Sequence, residues 1–290
     1  MRALRTLSTM IGLAAVAAAA AVPSIASAEP AAGAQLVAIG DSFMAAGSNA
    51  AAITGPVGTA CNQATDNVAH LVASSFPQMT FADYSCVGAL TTDVYAPSTR
   101  GPQNVGLSPA TKVAIVSIGG NDAGFEQIAT DCLFALSCPP EKKAQFSANV
   151  ASVGPKLTGA YAAIRQAAPN ARVFTVGYLP ILPPDAKGCL VGLINTQETI
   201  NFLNGLQRQL NDTIVAESSK AGFTPVIPTP VIPATSSDHS VCAADFQRYV
   251  SMTGAGAGDE GIPMHPTAPG RQYVAERVAI AMRSAGVQGT

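Results

Sequence analysis

The sequence predicts an α/β fold, in which helices cover both faces of a central parallel β-sheet. Short, continuously apolar segments alternate along the chain with longer segments whose apolar residues recur every three or four positions. This alternation is typical of sheets built from strand–helix–strand units. Of the 290 residues, 48% are apolar and only 12% are charged. The chain therefore has enough apolar material for a large core and lacks the composition of a disordered protein.

The predicted elements of the N-terminal half begin with a strand at residues 36–39, an apolar segment that ends in a glycine turn. A helix is expected at residues 68–76, where apolar residues share one face. Residues 81–84 resemble a strand. Residues 113–116 are continuously apolar, as expected for a strand that is covered on both faces.

The C-terminal half continues the alternation. A helix is predicted over residues 144–168, and Pro155 is expected to bend or split it because proline cannot donate a helical hydrogen bond. Residues 172–176 form the next strand. Regular apolar spacing over residues 200–214 indicates a long amphipathic helix, and a closing helix is expected at residues 274–282.

The N-terminus has the pattern of an export signal. Arg2 and Arg5 precede an uncharged, alanine-rich stretch that ends in Ala26-Ser27-Ala28, and small residues of this kind fit a peptidase cleavage site. We therefore expect a signal peptide at residues 1–28, cleavage near Ala28 and a secreted protein, with an uncleaved anchor as the alternative. No internal domain boundary is evident, so residues 29–290 are predicted to form a single domain.

The cysteines agree with export. All six follow the expected cleavage site, and an even number in an exported chain indicates disulfides. Six cysteines allow 15 pairings, and spacing alone does not choose among them. A zinc site is the competing interpretation, but the sequence has neither a C-x-x-C pair nor an H-E-x-x-H motif. The cysteines are Cys61, Cys86, Cys132, Cys138, Cys189 and Cys242.

A serine lies directly after the first predicted strand, in the segment Gly40-Asp41-Ser42-Phe43. The carboxyl edge of a parallel sheet is where α/β proteins bind ligands, so Ser42 is a candidate nucleophile. Taken alone, the segment favours a helix cap over a nucleophile.

Two further segments point to the same edge. Asn121, in Gly119-Gly120-Asn121-Asp122, follows the strand at residues 113–116, and its side-chain amide can donate to an oxyanion. Gly88 follows the strand-like residues 81–84, and a glycine lets a substrate approach the backbone N–H closely. An ordinary glycine turn is the alternative interpretation of the Asn121 segment.

His265 precedes the closing helix and is a candidate general base for a serine. The two other histidines are assigned no catalytic role. His70 lies within a predicted helix, and His239 lies in a polar loop. As a lone residue His265 is also consistent with a structural role.

In combination and in this order, the four segments resemble the SGNH (GDSL) hydrolase family, and the resemblance extends from Leu36 to about Met282. It implies a flavodoxin-like, three-layer α/β/α sandwich. Ser42 corresponds to the nucleophile and His265 to the base. The oxyanion hole corresponds to the Ser42 N–H, the Gly88 N–H and the Asn121 side chain.

The cysteines also resemble those of secreted bacterial lipases and esterases in this family, whose cysteines pair in sequence order. That resemblance implies the bridges Cys61–Cys86, Cys132–Cys138 and Cys189–Cys242.

The chain departs from the family at one position. Members usually carry an aspartate three residues before the histidine, and that position is Ile262 here. A third group normally orients the imidazole and stabilises its charged form. We hypothesise that a main-chain carbonyl near Ile262 accepts the imidazole proton, with Asp259 or Glu260 as alternatives.

The resemblance implies a secreted carboxylic ester hydrolase, a lipase, phospholipase or esterase, that works through an acyl-enzyme without metal or organic cofactor. Phe43, Met44, Phe125 and Met264 flank the catalytic segments and are candidates to line an acyl pocket, or are ordinary core residues. A carbohydrate acetyl esterase and a non-catalytic binding protein on the same scaffold are the alternatives.

The expected partner is a small-molecule or lipid ester, with transient contact with a lipid surface. We expect a monomer. The formal net charge of −2 leaves no strongly basic surface for nucleic acid.

Overall fold

The structure is a computed structural model that describes residues 33–135, 137–229, 239–256 and 259–288. The predicted signal peptide lies outside these ranges. The strands are β1 (Leu36–Gly40), β2 (Phe81–Asp83), β3 (Val113–Ser117), β4 (Arg172–Val176), β5 (Thr224–Val226), β6 (Ala255–Gly256) and β7 (Asp259–Glu260). The helices are α1 (Ser42–Ala45), α2 (Pro56–Cys61), α3 (Val68–Ser74), α4 (Phe125–Ile128), α5 (Pro140–Ala151), α6 (Val153–Ala167), α7 (Leu190–Ile194), α8 (Gln197–Lys220) and α9 (Ala268–Ser284).

The first five strands form one parallel sheet in the order β2-β1-β3-β4-β5. This is the flavodoxin-like order. Helices α3 and α9 pack together against one face, and α5, α6 and α8 pack together against the other. The predicted three-layer α/β/α sandwich is confirmed.

The core follows from the sequence pattern. Every residue of β1 and β3 is buried, which explains why both strands are continuously apolar up to their last residue or two. Helix α8 buries the residues that recur every three or four positions. They are Ile200, Leu203, Leu206, Leu210 and Ile214.

The helix predicted over residues 144–168 is split into two helices, one of the two outcomes expected from Pro155. Helix α5 ends at Ala151, and α6 begins at Val153 with Pro155 in its first turn. A proline ring clashes with the carbonyl four residues earlier in a continuous helix, and here that carbonyl belongs to Ala151. The break therefore lies before the proline, so that Pro155 falls in the first turn of α6. Backbone N–H groups in a first turn have no acceptor within the helix, so the missing N–H of proline costs no hydrogen bond there.

Three disulfides join Cys61 to Cys86, Cys132 to Cys138 and Cys189 to Cys242, which confirms the pairing in sequence order. The first anchors the segment after β2, and the third ties the loop after β4 to the segment before β6. Within the described ranges, no helix combines the length and apolarity needed to cross a membrane.

Candidate active site

The site forms where the strand order of the sheet reverses. Strands β1 and β3 are neighbours at this point, and ligands of open α/β sheets bind beyond the carboxyl ends of such strands. Gly40 ends β1 with a φ of +155°, and a Cβ there would lie 2.3 Å from the Ser117 carbonyl oxygen. Only glycine permits this approach, and it brings the turn that carries Ser42 against the end of β3.

Ser42 and His265 are 223 positions apart in the chain, and the structure brings them together. The Ser42 Oγ atom lies 2.7 Å from the His265 Nε2 atom, and the His265 Nδ1 atom lies 2.8 Å from the Pro263 carbonyl oxygen. Because a carbonyl oxygen can only accept, Nδ1 carries the ring proton. Nε2 is then unprotonated and faces the serine hydroxyl as an acceptor.

The carbonyl that contacts the ring belongs to Pro263, so the assignment to Ile262 is wrong by one residue. The Ile262 carbonyl oxygen instead accepts the backbone N–H of His265, at 3.3 Å. Pro263 and Met264, which has a φ of +63°, occupy the central positions of this turn, as in a type II turn. The turn uses the Ile262 carbonyl and leaves that of Pro263 available to the imidazole.

Neither acidic alternative contacts the ring. Asp259 accepts a hydrogen bond from Arg271 Nη1 at 2.8 Å. Among the described residues, the two ring nitrogens of His265 contact Pro263 and Ser42, and neither contacts Glu260. The buried Arg271 also donates to the carbonyl oxygens of Asp66 and Pro266. It therefore fixes the backbone on the C-terminal side of His265.

Burial lowers the pKa of His265 below its ordinary value of 6.5, although the hydrogen bond to the Pro263 carbonyl opposes the shift. The ring of Phe125 packs edge-on against the imidazole with 6.2 Å between ring centroids. An apolar neighbour favours the neutral imidazole, which is the form that can accept a proton from Ser42.

The three N–H donors of the predicted oxyanion hole keep unused hydrogen-bonding capacity among the described residues, and two of the residues, Ser42 and Asn121, line one cavity. The Ser42 and Gly88 backbone N–H groups have no hydrogen-bond acceptor among the described residues. The Asn121 side-chain amide donates one hydrogen to the Ala89 carbonyl oxygen at 2.9 Å and retains a second. Asp122 accepts the Thr91 N–H at 2.8 Å, so two contacts join the Asn121 turn to the segment after Gly88.

Asp41, Tyr178 and the Gly120 N–H form a buried polar cluster next to Ser42 in the chain, and this cluster was not predicted from the sequence. Asp41 caps α1 by accepting the Phe43 N–H at 3.0 Å. Its second oxygen accepts the Tyr178 hydroxyl at 2.5 Å, and the Tyr178 oxygen accepts the Gly120 N–H at 2.8 Å. Tyr178 lies two residues after β4 at the same edge of the sheet, a position that the rule applied to Ser42 and Asn121 would have flagged.

Burial of the cluster shifts the pKa values of both acids. Burial raises the pKa of Asp41 to about 7, although the hydrogen bonds from Tyr178 and Phe43 oppose the shift. Burial and the adjacent Asp41 raise the pKa of Tyr178 well above its ordinary value. The tyrosine therefore remains a neutral hydrogen-bond donor.

An apolar cavity of about 110 Å³ opens beside Ser42 and His265 and extends to α8. Phe43, Phe125 and Met264 line it as predicted, whereas Met44 is fully buried and outside the lining. The rest of the wall is mainly aliphatic, and it includes Ile128, Leu133, Val150, Leu203, Leu206 and Leu210. Such a wall suits a hydrocarbon chain.

The described residues contain no group of three or more His, Cys, Asp or Glu side chains arranged to hold a metal ion.

The comparisons with known proteins concern this same region. Residues 38–273 match the GDSL-like Lipase/Acylhydrolase family. Lipase 1 of Streptomyces coelicolor is 33% identical over 246 residues, which cover 84% of this chain and 85% of that protein.

Two solved structures share the fold at 25% identity. The extracellular lipase from Streptomyces rimosus has a TM-score of 0.66 and covers 86% of this chain and 98% of its own. Phospholipase A1 from Streptomyces albidoflavus has a TM-score of 0.64 and covers 87% of this chain and 98% of its own. The span matched to the family includes both Ser42 and His265.

Proposed function

The chain belongs to the GDSL-like lipase/acylhydrolase family and is a carboxylic ester hydrolase of the SGNH type, and we propose that Ser42 and His265 perform the hydrolysis. The observation that carries this proposal is the 2.7 Å contact between Ser42 Oγ and His265 Nε2. It places a nucleophile within hydrogen-bond distance of a base that is itself oriented by a third group.

The first half of the reaction forms an acyl-enzyme. His265 Nε2 takes the proton of Ser42 as Oγ attacks the ester carbonyl carbon, and the carbonyl oxygen becomes an oxyanion. The N–H groups of Ser42 and Gly88 and the free Asn121 amide hydrogen stabilise that charge. His265 then gives its proton to the departing alcohol oxygen, and the acyl group remains on Ser42.

The second half releases the acid. His265 removes a proton from a water molecule, the resulting hydroxide attacks the acyl carbon, and the Ser42 oxygen leaves and recovers its proton from His265. The Pro263 carbonyl accepts the Nδ1 hydrogen throughout, since that contact does not involve the transferred proton. A neutral carbonyl orients the ring but stabilises imidazolium less than a carboxylate would.

The roles of both residues can be tested with p-nitrophenyl esters. We expect Ser42→Ala and His265→Ala each to lower kcat by about 10⁴-fold or more. Ser74→Ala changes a serine on α3 whose hydroxyl donates to the Leu71 carbonyl and should leave kcat unchanged. Parental activity in either site variant would contradict the proposal.

The aliphatic cavity favours fatty-acyl esters over short or sugar-linked acetyl esters. Each buried methylene group contributes about 0.8 kcal/mol, so a chain that fills the cavity binds better than an acetyl group. We expect kcat/KM to rise from acetate to medium-chain p-nitrophenyl esters. A higher rate on acetylated xylan or p-nitrophenyl acetate than on a medium-chain ester would contradict this substrate class.

Exposed apolar side chains lie on two segments connected to the cavity wall and suit contact with a lipid surface. Leu190 and Leu193 on α7 are 61% and 77% exposed, and Phe134 is 45% exposed. Asn195, which follows α7, donates to the Leu133 carbonyl oxygen at 3.0 Å. This bond joins α7 to the segment of Phe134, and Leu133 itself lines the cavity.

The lipid contact can be tested by comparing Leu193→Ser with Ile280→Ser. Ile280 is an exposed aliphatic residue of α9, which lies in the helix layer opposite α8, and α8 lines the cavity. We expect Leu193→Ser to lower the fraction of protein that sediments with phosphatidylcholine vesicles and to slow hydrolysis of the phosphatidylcholine esters. The rate on a soluble ester should stay unchanged. Equal effects of the two substitutions would contradict a lipid contact through α7.

Secretion and domain organisation complete the proposal. The related Streptomyces rimosus lipase is extracellular, and we expect this chain to be exported with cleavage near Ala28 and to function as a single-domain monomer. N-terminal sequencing of the protein from culture medium should give Glu29 as the first residue, and light scattering should give the mass of one chain. Retention of residues 1–28 or a larger mass would contradict these expectations.

A further inference from the structure

Tyr178 connects the two turns that carry the proposed nucleophile and the proposed side-chain oxyanion donor. Its hydroxyl donates to Asp41 Oδ2 at 2.5 Å and accepts the Gly120 N–H at 2.8 Å. Asp41 immediately precedes Ser42, and Gly120 immediately precedes Asn121. One phenol oxygen therefore spans the gap between the turns that follow β1 and β3.

The tyrosine is itself held in place from the opposite side. The Asn211 side chain on α8 accepts the Tyr178 backbone N–H at 2.9 Å and donates to the Tyr178 carbonyl oxygen at 3.0 Å. The Phe43 ring packs edge-on against the Tyr178 ring with 5.2 Å between centroids. The paired amide contacts fix the backbone of Tyr178, and the packing fixes its ring.

The contact between the Tyr178 hydroxyl and the Gly120 N–H depends on glycine at position 120. A Cβ atom at Gly120 would lie 3.0 Å from the Tyr178 ring, which is closer than nonbonded carbon atoms normally approach. The absence of a side chain at position 120 lets the phenol reach the backbone N–H.

We propose that Tyr178 is a positioning residue of the ester hydrolase, which holds the Ser42 turn and the Asn121 turn at the separation that oxyanion stabilisation requires. This inference rests on the proposed roles of Ser42 and Asn121. The physical reason is that Ser42 and Asn121 lie on different turns, and donors stabilise a developing charge only when their positions are fixed in advance.

The Tyr178→Phe variant tests the inference because it removes one oxygen and keeps the ring in the cavity wall. It leaves Asp41 Oδ2 and the Gly120 N–H without their shared partner. We expect kcat per active site to fall by about 10- to 100-fold, with KM changed by less than about threefold because the apolar wall is intact. Titration with a fluorophosphonate counts the active sites.

Tyr161→Phe is the matched control. Tyr161 is buried in α6 and packs against Phe223, but it does not line the cavity. It should lose stability without loss of kcat per active site. A second test is Gly120→Ala, which keeps the N–H but crowds the Tyr178 ring, and it should also lower kcat more than it changes KM.

Two results would overturn the inference. One is a kcat for Tyr178→Phe equal to that of Tyr161→Phe. The other is a loss of rate that the reduced number of titrated sites accounts for in full, which would make Tyr178 a purely structural residue. Failure of the proposed function is a different outcome, because the parent protein would then neither hydrolyse esters nor react with the fluorophosphonate.

Discussion

The carbonyl oxygen of Pro263 lies 2.8 Å from Nδ1 of His265 and supplies the contact that an aspartate usually supplies to a catalytic histidine. A carbonyl is neutral, so it fixes the ring orientation and the tautomer without adding a negative charge to the site.

Catalysis should be independent of the nearby carboxylates. We expect Glu260→Ala to keep kcat within about twofold of the parent value. Asp259→Ala should lower the thermal stability, because Asp259 pairs with the buried Arg271, while kcat per titrated active site changes little. A large loss of kcat per active site in either variant would show that a carboxylate orients His265, and it would contradict this role for the Pro263 carbonyl.

Activity should extend into mildly acidic solution. Burial lowers the pKa of His265 below 6.5, and the neutral ring is the active form, so kcat/KM should rise with pH through a midpoint below that value. The measurement is a pH profile with a substrate that does not titrate in this range. A midpoint above 6.5 would mean that the site stabilises imidazolium, and it would contradict a His265 pKa that burial lowers.

The Asn121 side chain should act mainly on the transition state. Asn121→Ala removes one proposed oxyanion donor, and we expect kcat to fall by about 10²- to 10³-fold with a small change in KM. Asn201→Ala is the control, since Asn201 is an exposed residue of α8 that contacts Gln197. A change confined to KM would assign Asn121 to substrate binding instead.

Asp41 should make the protein less stable as the pH rises. Burial raises the pKa of Asp41 from 3.8 to about 7, so the folded protein keeps a proton that the unfolded chain releases. The free energy of unfolding therefore falls between these two pH values. We expect the fall in Tm from about pH 5 to about pH 8 to be smaller in Asp41→Asn than in the parent.

The comparison isolates Asp41 because Asp83, whose pKa is also raised by burial, is present in both proteins. Differential scanning calorimetry at the two pH values gives the result. An identical fall in Tm for parent and variant would show that Asp41 does not titrate in this window.

The sheet and the positions of Ser42 and Asn121 were predictable because each depends on a local pattern. A short window of sequence is enough to recognise the apolar segments of β1 and β3 and the periodic apolar residues of α8. Ser42 and Asn121 lie in the turns that follow β1 and β3, so the parallel topology alone brings them to one edge. The His265 assignment also needed the order of the four segments.

The features that were missed depend on backbone geometry or on distant contacts. The choice between Ile262 and Pro263 is set by a single turn, whose left-handed residue, Met264, is not a glycine and gives no signal in the sequence. The Tyr178–Asp41 bond joins residues 137 positions apart. The place of Tyr178 after β4 indicates the sheet edge but not this partner. The split between α5 and α6 was predicted from Pro155, but its place at Ala151, four residues earlier, was not.

The most direct test of the central claim is to locate the covalent adduct formed by a fluorophosphonate. Peptide mass spectrometry of the labelled parent protein should find the phosphonyl group on Ser42, and His265→Ala should react far more slowly although its Ser42 is intact. A labelled residue other than Ser42, or labelling of His265→Ala at the parent rate, would contradict the proposed pair.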